Sequence, residues 1–340
     1  MKAIAIGDQH FKVDNIIEIE MFIDKIEKLV KLEMPDIIVI LGDLLDTHEK
    51  IFTIALNKAY EFVRKMRDVA PTYVLVGNHD YIQNSQFLTE NHWMNGMKEW
   101  DNTTIVDKVV LVEEFGAKVV LTPYVPNGRF EEALNTVDGW KDADCIFAHQ
   151  EFAGCKMGAI ISTDGDKWPE DYPRIISGHI HSRQIIQGNI YYCGSSIQIA
   201  FGESEDKVIP ILNISRGTPY SLREVDLDLP RKRIIYMDMD NIDDFTPKET
   251  EDHLKITLTG SNEEFKLFKK SNKYKELIND GTKVVFKAKK EKMEEIEPSS
   301  SGFREILYNL VLGTKNSATM EFYELIMNNR KVEENDIIII

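Results

Sequence analysis

Five times in this chain a short apolar run stops abruptly at side chains able to bind a metal or move a proton. Lys2–Ile6 runs into Gly7-Asp8-Gln9-His10, and Ile37–Leu41 into Gly42-Asp43. Tyr73–Val76 leads to Gly77-Asn78-His79-Asp80, Cys145–Ala148 to His149, and Arg174–Ser177 to Gly178-His179-Ile180-His181. Runs of this kind, apolar at successive positions, read as strands buried on both faces, the pattern of a parallel sheet covered by helices. Between the first three lie Ile16–Leu32 and Phe52–Val69, whose apolar residues recur at helical spacing. Strand, helix, strand, helix, strand implies a parallel sheet with right-handed crossovers. From Thr103 to Leu229 strands dominate (Val109–Val112, Lys118–Leu121, Cys145–Ala148, Arg174–Ser177, Ile190–Cys193, Val208–Ile214), interrupted by a helix over Phe130–Val137. Two packed sheets with helices outside are expected.

In such sheets ligands gather beyond the carboxyl ends of strands, so the five clusters can converge. Glycine ahead of most of them lets the backbone turn sharply and approach a ligand closely. Taken singly, each polar residue reads equally well as a turn or helix cap. His179 and His181, two apart, fall on one face at strand spacing. Five clusters in order are not accounted for by capping. The donors are carboxylate, imidazole and amide oxygen without thiolate, which suits a harder ion such as Mn²⁺ or Fe²⁺ better than structural zinc.

The order DxH, GD, GNHD, H, GHxH resembles the signature of the calcineurin-like metallophosphoesterases, over the chain up to Leu229. That resemblance implies a four-layer α/β/β/α sandwich with two divalent metal ions, Mn²⁺ first, with Mg²⁺ or Fe²⁺ as alternatives. Matched position by position, Asp8, His10 and His181 hold one ion, Asn78, His149 and His179 the other, and Asp43 bridges them with one oxygen toward each. His79 matches the histidine that stays off the metals and stabilises or protonates the leaving oxygen; Asp80 orients His79 or holds the turn. The implied reaction is two-metal, in-line hydrolysis of a phosphoester.

Within that superfamily, Gly42–Thr47 (GDLLDT) is similar to the GDxxDT of the bacterial SbcD-type DNA-repair nucleases. Tyr191–Glu203 (YYCGSSIQIAFGE) resembles the segment those nucleases carry after GHxH. The likeness extends to phage recombination nucleases and, more distantly, to the meiotic recombination eleven proteins. It implies a DNA nuclease subunit, 3′–5′ exonuclease on duplex ends and endonuclease on single strands, acting as a homodimer with an SMC-like ATPase of the SbcC type. Archaeal and eukaryotic members place a DNA-steering histidine where this chain has Asp46, and that role is not transferred to His48. Rival readings are a phosphoesterase for small diesters or phosphoproteins, and a non-catalytic scaffold. The complete set of matched ligands stands against the scaffold.

The resemblance and the composition divide the chain into a phosphoesterase domain, 1–229, a small α+β capping domain, 230–297, and a C-terminal helical segment, 298–340. Strand-like Arg233–Met237, Leu254–Leu258 and Lys283–Ala288 with helical Asn262–Ile278 make up the second. With 41 basic and 57 acidic residues the net charge is −16, which excludes a broad basic coat for nucleic acid. Phe265–Lys292 nevertheless holds ten lysines against Glu276, Asp280 and Glu291. It reads either as the DNA-facing surface of the cap or as a solvated face with a lysine-blunted edge strand. After a polar spacer, Glu297–Gly302, a helical stripe over Phe303–Asn329 packs on its own core or docks on the ATPase coiled coil; Asp336–Ile340 reads as an edge strand or a docking segment. Three cysteines without CxxC spacing indicate reduced thiols. There is no signal-peptide pattern and no run of about 18 apolar residues for a membrane span. A cytoplasmic place, or one at DNA, is expected rather than secretion.

Overall fold

Alternation inside the buried runs decides how the layers stack. The computed structural model describes residues 1–48, 50–247, 251–289 and 303–327, with the side chains of 303–306 outside that description. One compact unit comprises Met1–Thr259 and Glu263–Lys287. In it, β1 (Lys2–Ile6), β2 (Ile37–Ile40), β3 (Thr72–Leu75) and β4 (Thr103–Val106) pair in parallel, with α1 (Ile16–Glu33) and α2 (Thr53–Arg67) as the first two crossovers. The second sheet is built on β5 (Val110–Glu114), β6 (Ala117–Thr122), β7 (Cys145–His149) and β10 (Ile175–Gly178), with α3 (Phe130–Leu134) between β6 and β7. A two-stranded hairpin, β8 (Lys156–Met157) and β9 (Ile160–Ile161), projects before β10. The strands β11 (Gln184–Ile186) and β12 (Ile190–Tyr192) complete the second sheet, and β13 (Ile209–Ser215) and β14 (Thr218–Val225) return antiparallel to extend the first.

Along β1, Ala3 and Ala5 face the second sheet while Ile4 and Ile6 face the helices. Ala3, Ala5, Ile37, Val39 and Leu75 meet Val119, Leu121, Phe147 and Ile176 in the layer between the sheets. Ile4, Ile6, Ile38, Ile40 and Val74 pack on α1 and α2 through Ile19, Phe22, Ile23, Phe62 and Met66. Val120, Ile146, Ile175 and Tyr192 pack on Phe130, Leu134, Trp140 and Trp168 on the far side. Three apolar layers separate four structural ones, the α/β/β/α order expected. Phe22 and Phe62, their ring centroids 5.5 Å apart, are fully buried, each worth about 1.5–3 kcal/mol relative to exposure. Met34, left-handed at φ 46°, caps α1 by donating its N–H to Val30, and Pro35 starts the run into β2.

The same unit holds β15 (Lys232–Asp238) and most of β16 (His253–Gly260) and β17 (Lys283–Ala288), in the order β15-β16-β17, with α4 (Asn262–Phe268) and α5 (Asn272–Asn279). Ile242, Ile256, Leu258, Phe268 and Leu277 form its small core. The expected single helix over Asn262–Ile278 is two, because Ser271 stops the first and caps the second by accepting the Tyr274 N–H at 3.1 Å. The second unit takes Gly260–Asn262 and the chain from Ala288 onward; its described helices are α6 (Phe303–Gly313) and α7 (Ser317–Met327). One helix was expected there too. The break falls at Lys315, left-handed at φ 53°, and at Asn316, whose Oδ1 accepts the Ala318 N–H at 3.0 Å. Asn328 and Asn329, the spacer Glu297–Gly302, Lys290–Lys292 and Asp336–Ile340 lie outside the described residues. No helix among the described residues is long and apolar enough to cross a membrane.

Candidate metal centre

All five clusters reach one edge of the sandwich, where the parallel strands of both sheets end. β1 delivers Asp8 and His10, β2 Asp43, β3 Asn78 and His79, while β7 ends on His149 and β10 leads into His179 and His181. Gly178 pairs with His149 across β7 and β10, which brings the last two clusters side by side. Donor atoms of Asp8, His10 and His181 lie within 4.8 Å of one another, and so do those of Asp43, His149 and His179. Asp43 Oδ2 stands between the sets, 3.5 Å from His10 Nε2 and 3.4 Å from His149 Nε2. Its other oxygen, Oδ1, accepts the His79 N–H at 2.8 Å. The expectation that each Asp43 oxygen faces its own ion is therefore corrected, since a single oxygen lies toward both sets.

Of the sharp turn and the close approach expected of these glycines, the structure shows chiefly the second. Of the cluster glycines only Gly42, at φ 101°, has left-handed backbone. Left-handed backbone falls instead on four of the candidate ligands: Asp8 at φ 30°, His10 at 47°, Asp43 at 50° and His179 at 78°. Each such conformation costs about 1–3 kcal/mol and persists where the surroundings impose it. Glycine instead allows close approach. A Cβ on Gly77 would stand 2.2 Å from Asp43 Oδ1, and one on Gly7 2.3 Å from the Gly194 carbonyl oxygen.

The imidazoles are held by their second nitrogens. His149 Nδ1 is 2.7 Å from the Leu41 carbonyl oxygen, which can only accept, so Nδ1 donates and Nε2 faces the site. His181 Nδ1 lies 3.1 Å from Glu203 Oε1, whereas His10 Nδ1 comes only within ion-pair range of Asp46 Oδ1, at 3.4 Å and without hydrogen-bond geometry. This arrangement sets the ligating nitrogen and raises its basicity. Glu203 is itself anchored, accepting from the Ile199 N–H at 2.9 Å and the buried Lys207 Nζ at 3.2 Å. Lys207 also donates to the His181 carbonyl at 3.1 Å. Glu203 and Lys207 were missed as site residues, although Glu203 ends the quoted segment YYCGSSIQIAFGE.

His79 turns its Nδ1 toward the Asp46 carbonyl at 2.8 Å, and a nitrogen of its ring lies within 4.8 Å of donor atoms of His10 and Asp43. Its ring stacks on His48, centroids 4.7 Å apart and 15° from parallel, and meets the edge of His10 at 4.9 Å. Asp80 does not touch that ring. It accepts from the Gly77 and Leu44 N–H groups at 3.0 and 3.4 Å, from Leu45 N–H at 3.4 Å and from Trp93 Nε1 at 3.0 Å. These contacts tie the β3 turn to the loop that bears Asp43, the turn-holding alternative of the two given for Asp80. Burial pushes its carboxyl up to about 6.

The residues present fit divalent cations. Asp8 Oδ2 is a buried carboxylate oxygen with no hydrogen-bond donor among the described residues, which is costly unless a cation meets it. Asn78 Oδ1 lies 3.0 Å from His149 Nε2 and 2.8 Å from His179 Nδ1, so a proton or a cation must sit among these acceptors. Burial pushes His179 down to about 3, which keeps a lone pair available; for His149 the Asp43 and Asp8 carboxylates outweigh burial and lift it to about 9. Burial raises Asp8, while His149 and His10 hold Asp43 well below the carboxylate range despite its own burial.

A four-layer α/β/β/α sandwich with this donor set at one edge defines a metal-dependent phosphoester hydrolase. The chain belongs to the calcineurin-like phosphoesterase family, whose pattern matches residues 1–208. It is 49% identical over 281 residues to protein 244L of Invertebrate iridescent virus 6, described as a phosphoesterase, covering 79% of this chain and 98% of that one. Protein 078R of Invertebrate iridescent virus 3, likewise described, is 46% identical over 290 residues, 84% of this chain and 83% of its own length. A more distant relative is a component of the nuclease SbcCD of Staphylococcus saprophyticus, 25% identical over 63% of this chain and 66% of that protein.

Proposed function

We propose that the chain is the nuclease subunit of a DNA-processing complex, a Mn²⁺-dependent phosphodiesterase acting on duplex ends and single strands. The observation that supports this most directly is the segment Tyr191–Glu203. It resembles its counterpart in the SbcD-type nucleases, and through Glu203 it reaches a candidate metal ligand, His181. The distant similarity to the SbcCD component and the small α+β fold after the sandwich support the same reading. Two divalent cations, when bound, supply charge neutralisation at the phosphoryl oxygens and activation of water. Asp8, His10 and His181 would hold one, Asn78, His149 and His179 the other, with Asp43 between the two sets. His79 presents Nε2 to the leaving oxygen, fixed in tautomer by the Asp46 carbonyl and in plane by His48. A homodimer with an SMC-like ATPase partner completes the proposal, with 230–297 as cap and the C-terminal helices as the partner contact.

The test compares cleavage of linear duplex and single-stranded DNA with turnover of a chromogenic phosphomonoester and phosphodiester, each in Mn²⁺ and in Mg²⁺. DNA cleavage that depends on Mn²⁺ and is lost in EDTA is expected. Brisk monoester turnover without DNA cleavage would assign the chain to small phosphoesters or phosphoproteins instead.

A further inference from the structure

Two cavities of the first unit share one side chain. A cavity of about 510 Å³ opens onto His179, His181 and Glu203 and is walled by Phe201. A second, of about 670 Å³, takes Phe201 as part of its lining and runs between the β1 and β12–β13 loops and the sheet β15-β16-β17. Phe201, partly exposed, stands at the junction.

The second cavity is basic in an acidic chain. Lys12, Lys232, Lys255 and Lys283 line it with Asp14 and Glu18. Glu18 is matched by Lys232 Nζ and His253 Nε2, each 3.4 Å away, and Lys12 faces Asp46 at 3.7 Å. Among the described residues no carboxylate lies within ion-pair distance of Lys255 or Lys283. Lys255 Nζ instead lies 5.9 Å from the centre of the Phe201 ring. An aromatic face at the mouth of the metal centre, followed by two lysines with no carboxylate in reach among the described residues, is the chemistry that holds a single nucleic-acid strand: the ring stacks a base and the ammonium groups meet the phosphates on either side. A small phosphoester occupies the first cavity alone and has no use for the second.

Building on the nuclease reading, we propose that the two cavities form one track for a single DNA strand leaving the metal centre, with a base stacked on Phe201 and the following phosphates on Lys255 and Lys283. The full chain is titrated into a fluorescent single-stranded oligodeoxynucleotide, read by anisotropy in Ca²⁺ across a range of salt. Cleavage of the same oligonucleotide and of bis(p-nitrophenyl) phosphate is then followed in Mn²⁺. For Lys255→Ala/Lys283→Ala the slope of log affinity against log salt should become shallower by about 0.7 per lysine removed. Phe201→Ala should weaken binding by about fivefold or more, with Phe201→Trp restoring it. In Mn²⁺ the oligonucleotide-to-diester ratio of kcat/KM should fall in the same variants. An unchanged salt slope in the double variant, or a Phe201→Ala protein that binds as the parent does, overturns the track. The nuclease reading fails separately: if the parent binds along the track yet hydrolyses only the small diester, the track stands without it.

Discussion

The ligand-bearing edge of the sandwich and the lysine-bearing sheet β15-β16-β17 treat charge in opposite ways. At the edge, Asp8, Asp43, Asp80 and His149 are buried, Asp8 and Asp43 on left-handed backbone, and each has a fixed partner, Asp8 through the His179 N–H, which its Oδ1 accepts at 2.8 Å. Around the small sheet, Lys266, Lys269, Lys270, Lys275 and Lys287 are exposed. A buried charge is expensive without compensation, so its position is forced by what surrounds it and single atoms matter. Solvated charges are screened and interchangeable, so they act through their sum. The same electrostatics yields a built site in one region and a diffuse field in the other.

If that contrast is right, substitutions should rank by how tightly the surroundings fix the group. Asp43→Asn removes the carboxylate whose Oδ2 stands between the two donor sets. It should lower kcat/KM on a chromogenic phosphodiester by at least about a thousandfold, read at saturating Mn²⁺. Glu203→Gln leaves every ligand in place but loosens His181, and calorimetric titration should show cation affinity weakened by about 10–100-fold. Gly77→Ala sets a methyl group against Asp43 Oδ1 and should destabilise the metal-free protein by about 1–3 kcal/mol in urea unfolding.

Asp107 supplies a buried charge away from the centre, 3.2 Å from His92 Nε2 and 2.6 Å from Lys98 Nζ. Burial opposes its ionisation, but those two partners more than offset it and hold the carboxyl below its ordinary value. A depressed carboxyl stabilises the fold above its unfolded pKa of about 3.9 and loses that contribution as pH falls through the folded value. Asp107→Asn should therefore cost about 1–2 kcal/mol at neutral pH, with the gap to the parent closing in acid unfolding below about pH 4. Smallest of all, Lys266→Ala on α4 should stay within about 0.5 kcal/mol of the parent. A loss of several kcal/mol there would erase the distinction between the two regions.

The contrast also explains what could be read in advance. Ile37–Leu41 and Cys145–Ala148 announce themselves because strands buried on both faces leave no polar alternation, and the polar residues that end them stand out. β4 (Thr103–Val106) and β11 are too short to stand out, and β14, though eight residues long, is largely exposed and carries Thr218, Ser221, Arg223 and Glu224 among its apolar positions. The cluster residues were legible as a set, yet the device that seats them was not. Nothing in Gly77 says whether it serves its own φ or another residue's carboxylate, because that depends on Asp43 arriving from a different strand. Glu203 was hidden for the same reason: a carboxylate after a phenylalanine and a glycine has no signal of its own until β10 places His181 beside it. The breaks at Ser271 and at Lys315–Asn316 went unread because the apolar spacing carries across both, and only local hydrogen bonds interrupt the helix.

The central claim is that the strand ends of both sheets build one centre for two cations with Asp43 between them. Crystals of the full chain grown with Mn²⁺, measured for anomalous scattering at the manganese edge, test it directly. The account predicts two anomalous peaks on either side of Asp43 Oδ2, one among Asp8, His10 and His181 and one among Asn78, His149 and His179. A single peak, or peaks elsewhere on the chain with none beside Asp43 at saturating Mn²⁺, would contradict it.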